Sequence, residues 1–169
     1  MSNNSVKMPC EFEITPFADD LKFSMEAEVF EVLGPDDRAP TTVIGDDQSW
    51  GIDITLTVSG KLTRHLCGEW CVCVYLESIG PGKEYQLDLN PQDDEKCLRV
   101  PLKPCEDGVY PIRVEFPAGK IKTGECGRLY LLAISVIGLD ACGDPGHISG
   151  FCKGPTLMFY EGTPHEEED

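Results

Sequence analysis

A chain of 169 residues, 41% of them hydrophobic, is long enough to bury the core of one domain. Its 30 acidic residues against 14 basic ones leave a formal charge of −16, which opposes a polyphosphate backbone, and no basic stripe offsets it; nucleic acid is excluded as an expected partner. No uninterrupted apolar run approaches the ~20 residues of a spanning helix, so no membrane insertion is expected either.

The first residues, MSNNSVKM, have no apolar core and no small-residue cleavage site, which points to a cytoplasmic protein with residues 1–9 as a flexible N-terminus. Nine cysteines would suggest a disulfide scaffold in a small exported domain. Here the count is odd and no export signal is seen, so mostly free thiols are expected.

The structured part is expected to span residues 10–160. Cys10, Phe12 and Ile14 alternate with Glu11 and Glu13 as a short first strand. Leu21, Phe23, Met25, Ala27 and Val29 alternate with Lys22, Ser24, Glu26 and Glu28, a half-buried strand with an acidic outer side. Gly34–Ser49 is rich in turn residues and is expected to be an inter-strand loop. Trp50, Ile52, Ile54, Leu56 and Val58 then give the cleanest period-two pattern in the chain, and Trp70, Val72, Val74 and Leu76 give another, interleaved by Cys71, Cys73 and Tyr75. Short strands follow at Tyr85–Leu89 and, beyond the acidic turn Asn90–Lys96, at Leu98–Leu102, where Pro101 marks a sheet edge.

Tyr110, Ile112, Val114 and Phe116 form the next alternating strand, stopped by Pro117-Ala118-Gly119. Leu129–Ile137 is apolar on both parities, so both of its faces need cover. A Gly- and Pro-rich loop, Asp140–Gly150, leads to a last strand, Phe151–Tyr160, bent at Gly154-Pro155. Residues 161–169, EGTPHEEED, read as a disordered acidic tail. With no sustained 3.6-residue period and turn signals every 8–12 residues, the class is all-β.

The succession of a strand at Val109–Phe116, a Gly-punctuated corner and a Tyr-x-Leu-x-Ile strand from Tyr130 resembles strands E and F of immunoglobulin-like domains. The resemblance implies a single antiparallel β-sandwich of about 8–9 strands. Residues 50–58 would then be strand B, Trp70 would open strand C as a core tryptophan, residues 98–102 would be strand D and Tyr130 would be the corner tyrosine. Leu132 stands where antibody domains carry a cysteine, so no inter-sheet disulfide is implied.

Catalysis has little support. The histidines are His65, His147 and His165, and neither a Gly-x-Ser-x-Gly elbow nor a His-Glu-x-x-His helix occurs, so a non-enzymatic protein without a cofactor is expected. As an alternative, loops at one end of such a sandwich would gather His65, Cys67, Cys105, Cys142 and His147, donors suited to zinc. The pairs Asp36-Asp37 and Asp46-Asp47 and the run Asp93-Asp94-Glu95 would be the oxygen counterpart for calcium, without an EF-hand spacing. The strongest signal is apolar surface. If Tyr130, Leu132, Ile134 and Val136 face the core, then Leu129, Leu131, Ala133 and Ile137 face outwards beside Cys71, Cys73 and Tyr75. Such a patch calls for cover, by a second copy or another protein, or by the chain's own N-terminal segment or acidic loop. The expected role is therefore an interaction or structural subunit that forms homo-oligomers, the rival being a metal-binding or redox-responsive cysteine protein.

Overall fold

The computed structural model describes residues 6–14, 19–103, 108–124 and 126–162. They form an all-β protein of two sheets, and apart from a single 3-10 turn at Thr63–His65 they contain no helix. The first sheet runs β1 (Val6–Lys7), β3 (Lys22–Gly34), β6 (Trp50–Ser59), β10 (Val109–Phe116), with β4 (Asp37–Pro40) also on β3. The second runs β2 (Cys10–Ile14), β12 (Pro145–Tyr160), β11 (Arg128–Leu139), β7 (Glu69–Ser78), β8 (Tyr85–Leu87). Off this path β9 (Leu98–Pro101) also pairs with β7, and β5 (Val43–Gly45) lies parallel to the end of β12; the other pairings are antiparallel.

Alternation decides which side chains meet between the sheets. Met25, Ile54 and Val114 come from the first sheet and Val74, Leu76, Leu132, Ile134 and Phe159 from the second, within one buried cluster. Both tryptophans belong to it. Trp50 lies 4.6 Å from the Phe116 ring, and Trp70 meets Phe23 and Tyr110 edge-on. Phe116 stands beside Trp50 within the first sheet, whereas Trp70 with Phe23 and Tyr110, and Trp50 with Phe159, meet across the two layers, each ring removing a large apolar area from water.

In β12 the register against β11 slips between Thr156 and Lys153, at the Gly154-Pro155 step where a bend was expected. Without this bulge Leu157 and Cys152, five residues apart, would face opposite sides of the sheet; with it both are buried inwards. Gly154 is needed there because a Cβ would press on the Leu132 side chain at 3.0 Å.

The outer side of the first sheet carries one apolar group under cover. Phe30 lies across Gly51, and the guanidinium groups of Arg38 and Arg113 stand over its ring at 5.9 and 5.3 Å from the centroid. Arg38 donates two hydrogen bonds to one Glu115 oxygen, at 2.9 and 2.6 Å, and Arg113 grips Asp53. This latch ties β4 to β10 across the width of the sheet.

Several expectations change. Twelve strands are described where eight or nine were expected, because β4 and β5 lie inside the expected loop Gly34–Ser49 and β1 lies in the expected flexible N-terminus. Lys7 pairs with Glu26, and Met8 is buried with its amide donating to the Met25 carbonyl. The strand at residues 98–101 does not border β10, as its placement as strand D required; it lies against β7. The cysteines also differ from the expectation of mostly free thiols. Cys10 is bonded to Cys152 and Cys73 to Cys97, whereas Cys67, Cys71, Cys126 and Cys142 are free. The residues of the acidic tail beyond Gly162 lie outside the described ones.

Candidate interaction surface and cysteine cluster

The outer side of the second sheet holds all seven residues expected to form an apolar interface, and the structure divides them into a covered half and an open half. The covered half is built around β7. Leu87 stands opposite Val74 and Leu98 opposite Val72, so β8 and β9 act as two parts of one edge strand from which residues 88–96 make an excursion. Cys97 returns opposite Cys73 and is bonded to it, with the Cα atoms 4.5 Å apart. Cys71, Cys73, Cys97 and Leu139 form a second buried cluster, with Tyr75 and Ile137 packed against it. Here the chain's own acidic segment supplies the cover, so Cys71, Cys73 and Ile137 are corrected from open interface to interior or half-buried positions. Ala133 is also removed from the open surface. It sits between its register partners Tyr75 and Lys153 and is 0% exposed, since a methyl group is overtopped by longer neighbours.

Within the covered half, Cys71 keeps a free thiol whose sulfur lies within 4.8 Å of both sulfurs of the neighbouring disulfide. The Cys71 thiol donates to the Glu95 carboxylate, 4.0 Å from Sγ to Oε1. Arg99 holds that carboxylate through Nε, at 2.8 Å, and reaches Glu69 through Nη1 at 3.4 Å. Burial pushes the Cys71 thiol pKa above its ordinary 9.0, the negative Glu95 and Glu69 push it further, and Arg99 partly opposes them. The thiol is thus kept protonated at neutral pH.

The open half lies where β11 begins and β12 ends. Leu129 pairs with Met158, Met158 in turn with Val43 of β5, and the Ile79 amide donates to the Leu129 carbonyl at 3.0 Å. Tyr160 reaches over Gly45 next to them. Val43, Ile79, Leu129, Met158 and Tyr160 are all between 39% and 52% exposed, and Leu131 is half-buried at their inner margin. A shallow hollow of about 390 Å3, lined by Ile79, Pro81, Leu129 and Met158 with Ser78, Cys126, Gly127 and Arg128, adjoins the corner. Parity located Leu129 and Leu131; Val43, Ile79, Met158 and Tyr160 were missed because they come together only through strand pairing, Met158 with Leu129 and Val43, Tyr160 with Gly45, and Ile79 by its bond to Leu129. An apolar run continuing to Tyr160 was the available signal.

The expected metal ligands do not converge. His65, Cys67, Cys142 and His147 are exposed, and Cys105 lies outside the described residues. Cys67 and His147 do line one small cavity, about 130 Å3, together with Trp70, Leu102, Leu139 and Ile148. Among the described residues the sole group of three metal-ligating side chains is Cys71, Cys73 and Cys97, two of which are bonded to each other. The acidic runs serve local structure. Asp46 accepts hydrogen bonds from the Thr123 hydroxyl and the Gly162 amide, and Asp93 from the Asp94 amide. Comparison with protein-family models and with curated proteins found no match to this chain.

Proposed function

We propose that this chain is a non-enzymatic interaction module on an immunoglobulin-like β-sandwich, and that it self-associates through the open apolar corner of its second sheet. Support for the sandwich comes from β6 and β10 sharing one sheet, from β7, β11 and β12 sharing the other, and from Trp70 in the core between them. The β9 strand beside β7 departs from the antibody-constant arrangement, as does the buried Tyr130 hydroxyl, which has no hydrogen-bond partner among the described residues.

One observation carries the function. Of the seven large hydrophobic side chains exposed among the described residues, five gather at this corner: Val43, Ile79, Leu129, Met158 and Tyr160. Scattered exposed hydrophobics are ordinary, but a contiguous group marks a contact surface. A second copy suits it because Arg128 is the sole charged residue lining the adjoining hollow, and Glu77 stands opposite Leu131 at its margin. In a two-fold contact the arginine of one copy can meet the glutamate of the other. The remaining charge, −16 in total, acts at longer range and is screened by salt. The two disulfides favour an oxidising compartment over the cytoplasm.

Light scattering across protein and salt concentration tests the proposal. Dimers that strengthen with salt are expected, and Leu129→Glu or Met158→Glu should weaken association at least tenfold while the β-type circular dichroism spectrum is retained. A monomer under every condition would refute self-association.

A further inference from the structure

The covered cysteine cluster has a chemistry that the docking surface does not use. We infer that Cys71, Cys73 and Cys97 form an internal thiol–disulfide exchange site, in which the free Cys71 displaces Cys73 from its bond with Cys97. All three sulfurs lie within 4.8 Å of one another, so the attacking atom is already beside its target. The step is balanced within the chain. Cys71 loses its proton to solvent, its thiolate sulfur attacks Cys97 Sγ, the Cys71–Cys97 bond forms as the Cys73–Cys97 bond breaks, and Cys73 leaves as a thiolate that takes up a proton. One disulfide and one thiol exist before and after, and no oxidant is consumed.

The sheet tells what must move. Cys97 is directly opposite Cys73, while Cys71 is opposite Arg99, so Cys71 and Cys97 are diagonal neighbours. Diagonal Cα atoms on paired strands are ~7–8 Å apart, beyond the usual reach of a disulfide. A forward slide of β9 by two residues brings Cys97 opposite Cys71. Such a slide preserves the face of every side chain, leaving Leu98 and Val100 towards the core. The length for it has to come from the excursion of residues 88–96 between Leu87 and Cys97, with the Leu89 amide giving up its hydrogen bond to the Lys96 carbonyl. In the slid register Arg99 comes opposite Glu69, the carboxylate it already reaches at 3.4 Å. Exchange at the sulfurs and a change of strand register are therefore one event, and the covering segment that contains Glu95 is drawn in with it.

Disulfide mapping of the full chain tests this. Protein held at about pH 8 is quenched in acid, where exchange stops because thiolate is removed, then labelled with a maleimide under denaturing acidic conditions, digested and analysed by mass spectrometry. Wild-type protein should yield a Cys71–Cys97 peptide with a matching amount of labelled Cys73, and both should be lost in Cys71→Ser. In Cys73→Ser made in the same host, Cys97 should be joined to Cys71, with at least a tenfold loss of Cys97 labelling relative to the reduced chain. Absence of Cys73 label from wild type, its persistence in Cys71→Ser, or a folded Cys73→Ser chain with free Cys97 would each overturn the inference. The comparison of wild type with Cys71→Ser stands even where Cys73→Ser fails to fold.

Discussion

At the level of single residues, two buried acids limit the alkaline range of the fold. Cys71 titrates above its ordinary 9.0 because of burial and then of Glu95, and Tyr130 above its ordinary 10.0 because of burial and then of Tyr85. Each holds its proton more tightly folded than unfolded, so each contributes stability below the unfolded value that is lost as pH rises through the folded one. Chemical denaturation should therefore show a stability plateau up to about pH 9, then a decline. The absorbance change of tyrosinate at Tyr130 should coincide with unfolding; ionisation in the folded chain at an ordinary tyrosine pH would contradict its burial. The sequence revealed the alternation that makes Tyr130 a core residue. It could not reveal the thiol cluster. Cys71 and Cys73 were visible as outward neighbours on one strand, but Cys97 joins them only through the pairing of residues 98–101 with β7, and strand partners are set by tertiary contact.

Among the elements, legibility followed burial. The strands at 50–59 and 109–116 could be read because one face of each is apolar and the other polar, a pattern that local sequence carries by itself, and the strand at 69–78 from the large apolar residues at its even positions. In contrast β4 and β5 are three or four residues long and have no pattern of their own. Asp37–Pro40 is held by pairing with β3 and by the hold of Arg38 on Phe30 and Glu115, and Val43–Gly45 by β12. The latch over Phe30 depends on a missing side chain below it, since a Cβ on Gly51 would meet the Phe30 ring at 2.5 Å and the Val114 carbonyl at the same distance. Gly51→Ala should accordingly cost about 1–3 kcal/mol in urea unfolding, as overpacking generally does. Part of that loss should be recovered in a Phe30→Ala background, where the ring is gone. Additive effects of the two changes would show that ring and glycine do not press on each other.

For the molecule as a whole, the outward apolar residues expected on β7 and β11 suggested a contact surface, but only the folded arrangement shows that half of this surface is closed by residues 88–97 and that its open part is displaced towards β5. The same arrangement sets β2 beside β12, where Cys10 is directly opposite Cys152 and bonded to it across a separation of 142 residues. Constraining so long a loop in the unfolded chain is worth about 4–5 kcal/mol. The double variant Cys10→Ala, Cys152→Ala should lose stability of that order in urea unfolding, and a loss under about 1 kcal/mol would mean that the closed loop contributes little. A mechanical consequence follows for tension applied to the chain on the far sides of these two cysteines. The load passes from Cys10 to Cys152 through the sulfur–sulfur bond, so β3 to β11 lie outside the line of force, and stretching can draw out only the segments before Cys10 and after Cys152 until that bond is reduced.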